Sequence, residues 1–286
     1  MPLAAASRYA LDPAMPVLLR PDGGVQVGWG PRRAVVVRPP HGLTPTTLAA
    51  LLRSMRSPTP VAELHRLAGD NCPLGSDDME GLVAQLVGAG VATLQYQDAA
   101  GRAPSVRVHG RGPLSDLLME ALRRSGARIS QTSLPHADVT PGDTDLVVLS
   151  DYLVADPRMV RDLQRQAVSH LLVRVRDGTG LVGPLVIPGV THCLSCADLH
   201  RTDRDPAWPA IAAQLRGTVG VADRATLLAT AAVALSQVNR VVEAVRGQRP
   251  TPDPGPPTAL NATLEVDVNA GSVTVRQWTK HPLCRC

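Results

Sequence analysis

The chain has 286 residues, of which 44% are hydrophobic and 2% aromatic, and it contains no phenylalanine. Its formal charge of +4 is small and its basic residues are dispersed, which argues against a nucleic-acid-binding surface. No apolar run approaches the length needed to cross a membrane, and the N-terminus has no signal-peptide pattern. The length predicts two domains, or one large one. Without a membrane span or a signal peptide, we expect a soluble cytoplasmic protein.

Residues 1–97 are predicted to form the first domain. The spacing of apolar residues indicates three short strands, three helices and a final strand. The second helix is expected to start at Thr59-Pro60, an N-cap residue followed by the proline favoured at the first helical position. The order β-β-β-α-α-α is that of a winged-helix domain. The predicted elements are strands at Val17–Leu19, Val25–Trp29 and Ala34–Val37, helices at Thr44–Arg56, Thr59–Ala68 and Ser76–Ala89, and a strand at Val91–Tyr96.

A winged helix commonly binds DNA through its third helix, but the residues of this one argue against it. A recognition helix needs Arg, Lys, Asn or Gln on its exposed face. The third helix instead carries Asp77, Asp78 and Glu80, and Gln85 is its one residue suited to hydrogen-bond with DNA bases. We therefore expect the domain to bind a protein or peptide. One route is a peptide strand added beside the sheet edge against the third helix, and an equally open alternative is a module that serves packing alone.

Residues 105–286 are predicted to form a second, α/β domain after a polar, aperiodic stretch at Gln97–Pro104. Strands and helices alternate at first, and a hairpin and two returning strands follow. The long helix predicted at 224–246 has a wide apolar face, so it either lies at the centre of the domain or makes a subunit contact. The second alternative would make the protein a homodimer. The first strand and its glycine turn are predicted within Ser105–Ser115, followed by a helix that ends at Arg124. The other predicted strands are Ala127–Leu134, Asp145–Leu149, Leu171–Arg176, Leu181–Ile187, Ala259–Val268 and Ser272–Thr279, and the other predicted helices are 157–167, 206–216 and 224–246.

The second domain opens with a strand, a glycine turn and a helix, which is the start of a nucleotide-binding βαβ unit. Gly110 and Gly112 occupy two glycine positions of that motif, but Ser115 holds the third. Pro113 removes a backbone N–H where the loop would offer donors to phosphate. No acidic residue ends the next strand to hold a ribose. The pattern favours a packing role for this loop over nucleotide binding.

Four cysteines form two close pairs, Cys193/Cys196 in a C-x-x-C and Cys284/Cys286 in a C-x-C. A C-x-x-C turn places two sulfurs on one side of a loop, and residues i and i+2 of an extended segment share a face. Four thiolates brought together make a closed tetrahedral site that suits zinc and leaves no open position for catalysis. The alternatives are a redox pair at 193/196 or four unrelated buried thiols. Cys72, the fifth cysteine, is expected to be an ordinary thiol.

A polar run, Leu199–Pro206, follows the first cysteine pair. Its side chains include His200, Arg201 and Asp203, which are weak candidates for acid, base or anion contacts. The favoured alternative is an exposed start of a helix, with Asp205 as its N-cap, that bears surface ion pairs or docks a partner.

Both domains resemble known families. The first resembles the winged-helix element that captures the leader of a precursor peptide in peptide-modifying (RiPP) pathways, through its element order and the stretch Asp22-Gly-Gly-Val-Gln-Val-Gly28. The second resembles the E1-like (ThiF-type) adenylating superfamily through the strand–GxG–helix start, Asp151 after a central strand, the hairpin before the C-x-x-C, and the return to His281-Pro-Leu-Cys-Arg-Cys286. That resemblance implies a structural zinc on the four cysteines and places Asp151 at the magnesium-binding aspartate.

The whole chain resembles the partner proteins of azoline-forming cyclodehydratases, most specifically around Gly183-Pro184 and Cys193–Pro209. Those proteins combine a peptide-recognition winged helix with an E1-like domain that no longer binds ATP, and the ATP-using YcaO-type enzyme is separate or fused. The resemblance implies a non-catalytic, zinc-stabilised protein that presents a peptide or protein substrate to a partner enzyme, without ATP or magnesium. The alternative is an active ATP-dependent adenylyltransferase acting on a C-terminal carboxylate, or a cyclodehydratase component. Lys280, the single lysine, lies beside the cysteines, so no Arg–Lys pair is available at an ATP site.

Overall fold

The computed structural model of the chain describes residues 7–68, 75–96, 102–134, 142–247 and 255–286. The chain divides into two compact units, one of residues 1–101 with 247–255 and one of residues 102–246 with 256–286. The prediction for Cys72 lies outside the described residues, as does the 97–101 part of the predicted linker.

The first unit contains two antiparallel three-stranded sheets, with strand orders β2-β3-β4 and β5-β1-β6. Leu48 and Leu52, four residues apart on one helix, are fully buried in its core, as the helical spacing of apolar residues requires. The elements are β1 Ser7–Leu11, β2 Val17–Leu19, β3 Val25–Val27, β4 Val35–Val37, α1 Pro45–Ser54, β5 Thr59–Pro60, α2 Val61–Ala68, α3 Ser76–Gly88 and β6 Ala92–Tyr96.

The predicted element order of this unit is confirmed over residues 17–96, with two corrections. Strand β1 was not predicted, because its pairing with β6 joins segments more than 80 residues apart and leaves no local signal. Thr59-Pro60 does not open the second helix. It forms the edge strand β5 beside β1, a place where the missing N–H of proline is tolerated.

The second unit is built on a seven-stranded mixed sheet, which confirms the predicted α/β class. The sheet order is β13-β12-β11-β10-β9-β7-β8. Strands β8, β7, β9 and β10 are parallel to one another, and β11, β12 and β13 each pair antiparallel with the strand before them in the chain. Its elements are β7 Ser105–His109, α4 Pro113–Leu122, β8 Arg128–Thr132, β9 Leu146–Ser150, α5 Pro157–Arg165, β10 Ser169–Arg176, β11 Thr179–Val186, α6 Leu194–Arg204, α7 Trp208–Leu215, α8 Arg224–Val245, β12 Ala262–Asp267 and β13 Ser272–Gln277.

Helices cover both faces of this sheet. On the central strand β9, Leu146 and Val148 join the core formed with α4 and α8. Val147 and Leu149 point the other way, into the core formed with α5 and α6. A strand buried on both faces is a continuous apolar run, and the burial of all five residues of β9 agrees with this. The parallel strands reverse their order between β7 and β9, so the carboxyl ends of these two strands form the crevice where ligands bind in such sheets.

Helix α8 corrects the expectation that no segment is long enough to span a membrane. Among the described residues, it alone passes by length and composition, with a mean hydropathy of 1.3 over the qualifying window. Helix α8 lies on the sheet and against α4, and 39% of that window is buried. This packing agrees with the central position, one of the two predicted alternatives, and the subunit contact stays a prediction. The side chains it buries are Thr226, Thr230, Ala231, Ala234, Gln237, Val238 and Val242.

The buried histidine of β10 predicts a pH dependence of stability. His170 is fully buried, its Nδ1 bonds the carbonyl of Val168 at 3.0 Å, and burial lowers its pKa to about 4 from the ordinary 6.5. The unfolded state therefore binds the proton more tightly than the folded state. We expect the unfolding free energy to be unaffected by this group above pH 6.5 and to fall by up to about 3 kcal/mol as the pH drops to 4.

Urea titrations of the wild type and of His170→Leu across pH 4–7.5 measure this contribution. Between pH 6.5 and pH 4, the unfolding free energy of the variant is expected to fall less steeply with decreasing pH than that of the wild type. Equal slopes for the two proteins would show that His170 does not carry the effect.

Candidate functional site

The four paired cysteines meet at one edge of the second unit. Cys193 follows the β10–β11 hairpin and is the N-cap residue of α6, and Cys196 lies in the first turn of that helix. The N–H of Cys196 donates to the carbonyl of Cys193 at 3.2 Å, which closes the turn. Cys284 and Cys286 arrive from the segment after β13. Both members of the first pair are buried and both members of the second are half-buried.

The sulfur positions match a four-coordinate metal site. The Sγ atoms of Cys193 and Cys284 are 3.5 Å apart, as are those of Cys196 and Cys286, and all four lie within 4.8 Å of one another. Tetrahedral coordination with metal–sulfur bonds of about 2.3 Å gives sulfur–sulfur edges of about 3.8 Å. All four are free thiols. The predicted clustering of the four cysteines is therefore confirmed, and the set can hold a soft divalent cation.

The protonation of these thiols also favours a cation. Burial raises the pKa of Cys193 and raises that of Cys284 to about 12. Burial acts in the same direction on Cys286, but hydrogen bonds from the backbone of Cys193 and from the neighbouring thiols outweigh it and lower the pKa to about 7. The thiolate of Cys286 forms readily at neutral pH, whereas Cys193 and Cys284 need a positive charge beside them before they ionise.

A hydrogen-bonded brace holds the second cysteine pair against α6. Nδ1 of His281 accepts from the N–H of Leu283 at 3.1 Å, so the proton lies on Nε2, which donates to Asp203 at 2.8 Å. His200 bonds the carbonyl of Thr279 through Nε2 at 3.0 Å. The two histidines and the aspartate lie within 4.8 Å of one another, but these bonds occupy both ring nitrogens of His281. The predicted acid–base candidates His200 and Asp203 therefore position the chain next to the cysteines.

The polar run forms the second half of α6, a helix that was not predicted, and Asp205 is its C-cap residue. The predicted helix 206–216 is confirmed as α7, which begins at Trp208, two residues later than expected, and Oδ1 of Asp205 accepts from the N–H of Ala207 at 2.9 Å. The Asp-Pro pair thus lies between two helices, after the end of one and before the start of the next. Arg201 is half-buried, its guanidinium 5.2 Å and 5.3 Å from the ring centres of Trp208 and Trp278, and it pairs with Asp198 at 2.8 Å.

The glycine loop after β7 is closed by a side chain of the protein itself. Asp151, which is 1% exposed, accepts from the N–H of Leu114 at 2.9 Å and from the N–H of Ser115 at 3.0 Å. The hydroxyl of Ser115 donates to the same carboxylate. Pro113 has no N–H, so Asp151 takes the donors that the first turn of α4 would otherwise offer to an anion.

The two glycines of the loop permit this close approach. A Cβ at Gly112 would lie 2.7 Å from Oδ1 of Asp151, and one at Gly110 would collide with the carbonyl oxygen of Ser150 at the end of β9. Asp151 itself adopts a positive φ of 71°, which aspartate tolerates better than most residues. The structure thus brings Gly110, Gly112 and Asp151 together, and all three are engaged in contacts with one another or with the sheet.

A cavity of about 280 Å³ lies beside this loop, at the carboxyl ends of β7 and β9. His109, Ser150, Tyr152 and Asp156 line it. Nδ1 of His109 is buried with no hydrogen-bond partner among the described residues, and burial lowers the pKa of this histidine. His109 was not predicted as a site residue. Its one signal in the sequence is its place as the last residue of the first strand of the unit.

Known structures share this architecture, although no protein-family model and no curated protein matches the sequence. A heterocyclase solved with substrate and cofactor aligns with a TM-score of 0.66 and 16% identity over 97% of this chain, and the heterocyclase TruD with 0.64 and 17% over 98%. This chain spans 39% and 42% of the length of those two proteins. E. coli MccB solved with ATP aligns with a TM-score of 0.59 and 12% identity over 97% of this chain and 99% of MccB, and MccB has also been solved in complex with N-formylated MccA.

At these identities the comparisons concern the fold. The alignments extend over nearly the whole chain, so they include both units and not the α/β unit alone. The likeness predicted from the sequence is confirmed for the fold. The chain has the fold shared by the heterocyclase TruD and MccB.

Proposed function

We propose that the chain is a non-catalytic, zinc-stabilised protein that binds a precursor peptide or protein and presents it to a partner modifying enzyme. The observation that carries the proposal is the position of Asp151. Its carboxylate occupies the anion position at the start of α4 through two backbone N–H groups and one hydroxyl. A nucleotide phosphate would have to displace a buried and fully bonded carboxylate, which costs several kcal/mol.

Zinc is the metal proposed for the four cysteines. Thiolate ligands select zinc among the common divalent ions, and a site of four protein ligands leaves no position for a substrate. Cys193, Cys196, Cys284 and Cys286 would hold the ion, which would supply folding energy rather than chemistry. The brace of His281, described above, keeps the second pair in reach.

Peptide binding is proposed for the first unit as a winged-helix domain. Strand β4 pairs with β3 on one side, and in the described part of the chain its other edge has no strand partner. Val36 exposes 43% of its surface on that strand. A free, short strand edge can accept an extended peptide through main-chain hydrogen bonds. MccB solved with MccA and the heterocyclase solved with substrate are consistent with peptide capture by proteins of this fold.

The partner is proposed to be a YcaO-type enzyme, on the same polypeptide or a separate one. This chain aligns to 39% and 42% of the two heterocyclases that share the fold, so each of them is more than twice as long as its aligned region. The remaining part would supply the reaction, and the chain described here would supply recognition.

An active adenylyltransferase is the second candidate, and the cavity beside β7 and β9 favours it. That cavity lies where ligands bind in sheets of this topology, and MccB, which matches over its whole length, has been solved with ATP. In this candidate His109, Gly110 and Gly112 would lie near the nucleotide.

Calorimetry on the full chain separates the two candidates. The titrants are Mg-ATP and a peptide translated from a short reading frame adjacent to the gene. We expect the peptide to bind and Mg-ATP to give no heat of binding. ATP–pyrophosphate exchange in the presence of the peptide would overturn the non-catalytic proposal, and absence of ATP binding would remove the adenylyltransferase.

A further inference from the structure

A second cavity, of about 430 Å³, lies on the α6 side of the sheet in the second unit. Five arginines line it, together with two tryptophans. Three acidic residues, Asp177, Asp205 and Glu265, also line it, so the lining carries a surplus of two positive charges. We refer to it as the cationic cavity. Its arginines are Arg174, Arg176, Arg201, Arg204 and Arg276, and its tryptophans are Trp208 and Trp278.

Arg174 is the unusual member of this set. It lies on β10, two residues after Leu172, and therefore points to the same face of the sheet, beneath α6. The residue is 8% exposed, and its guanidinium makes no hydrogen bond or ion pair within the part of the chain that the structure describes. Its nitrogens are not among the fully enclosed polar atoms without a partner, so they face the space of the cavity. A cation so nearly enclosed is costly without an anionic neighbour. Burial, aided by nearby Arg201 and Arg176, lowers its pKa to about 9, so the group still carries its charge at neutral pH.

The acids near Arg174 are committed elsewhere. Asp198 pairs with Arg201 at 2.8 Å and also accepts from Nε1 of Trp208 at 3.3 Å. Glu265 pairs with Arg276 at 2.9 Å.

The other two acids are also engaged. Asp205 accepts from the N–H of Ala207 at 2.9 Å, and Asp177 lies 3.8 Å from Arg176. The positive charge of Arg174 is therefore left for a ligand to compensate.

We propose that the cationic cavity binds the carboxylate or phosphate group of an organic anion, with Arg174 as the central contact. Arg174 also lines the adjoining cavity between α5 and α6. Its side chain is therefore accessible from two cavities. Arg204, the last residue of α6, is exposed at the cavity and forms no ion pair among the described residues, so it provides a second cationic contact. The indole rings of Trp208 and Trp278 supply apolar wall for the body of the ligand. The site is independent of the peptide-binding proposal, since it uses the second unit alone.

Titration calorimetry with phenyl phosphate and benzoate tests the proposal, with inorganic phosphate as the probe for the anion alone. All titrations are made at constant ionic strength with chloride. We expect the wild type to bind phenyl phosphate or benzoate, and the stronger of the two identifies phosphate or carboxylate as the ligand group. Arg174→Gln is expected to weaken binding at least about tenfold, because a charge-assisted hydrogen bond is lost.

Arg128→Gln is the matched control, because Arg128 is exposed on β8 and does not line the cavity. It removes the same charge and should leave affinity unchanged. If Arg174→Gln does not fold, the exposed Arg204→Gln replaces it and should weaken binding as well. The proposal is overturned if the wild type binds none of the three probes, or if the deciding variant binds them as tightly as the control.

Discussion

We expect replacement of Cys286 by serine to release the metal and to give the largest loss of stability of any substitution considered for this protein. The remaining three thiols cannot close a four-coordinate site, and the bond from Lys280 to the backbone carbonyl of residue 286, at 2.8 Å in the wild type, does not replace the lost ligand. Metal binding contributes about 10–16 kcal/mol to the folding of small zinc domains, so the loss of one ligand should remove a large part of a comparable contribution. Deletion of Arg285 and Cys286 should have the same result.

The measurement is the zinc content by elemental analysis together with the thermal unfolding curve. Arg285→Ala is the matched control, because Arg285 is exposed and lies between the two cysteines without belonging to the cluster. It should keep one zinc per chain and an unchanged melting temperature. Retention of zinc by Cys286→Ser, or a wild-type protein that contains no metal, would disprove the proposed site.

The clustering of the cysteines was predictable because the signal is local and chemical. Two thiols at C-x-x-C spacing and two at C-x-C spacing each share one side of the chain, and the joining of the pairs follows from what four thiolates can bind. The brace around them was not predictable. The bond between His281 and Asp203 joins residues 78 positions apart, and which ring nitrogen carries the proton depends on the N–H of Leu283.

The same distinction applies to the elements of the fold. Helix α8 and strand β9 were predicted within one or two residues, because α8 repeats its apolar spacing over 22 residues and β9 is a continuous apolar run. Strand β1 and helix α6 were missed, because β1 depends on pairing with a distant strand and α6 is polar. The Asp205-Pro206 pair gave the start signal of α7, which begins at Trp208, and the same pair follows the end of α6, since proline is favoured in both places.

Whether a buried charged group has a counter-ion could also not be predicted from the sequence. Arg174 alternates with apolar residues in a strand pattern, and nothing local distinguishes it from Arg176 at the exposed end of the same strand. Its lack of a counter-ion depends on the pairing of Asp198 with Arg201 on another element. A resemblance to a family gives no information on such a residue unless the family motif contains it.

The second large effect is expected for Asp151→Ala. The substitution leaves two buried N–H groups without their acceptor, leaves the hydroxyl of Ser115 with Ser150 as its partner, and puts alanine at a φ of 71°. Each unsatisfied buried donor costs about 1–3 kcal/mol, and the backbone conformation adds about 1 kcal/mol. We therefore expect the unfolding free energy to fall by about 3–7 kcal/mol in urea titrations. Asp151→Asn, which keeps one oxygen acceptor and tolerates the backbone conformation, should lose less.

Asp223→Ala is the matched control, because Asp223 caps α8 in the same unit through the N–H and hydroxyl of Thr226 but lies at the surface. Its loss should cost about 1 kcal/mol, the usual value for an exposed helix cap. The difference between the two aspartates separates the two proposed functions. A magnesium ligand in an adenylyltransferase would be removed with little loss of stability and complete loss of turnover, whereas an internal carboxylate that fills the phosphate position destabilises the fold when it is removed. A loss of stability for Asp151→Ala no larger than that for Asp223→Ala would contradict the non-catalytic proposal at the observation that carries it.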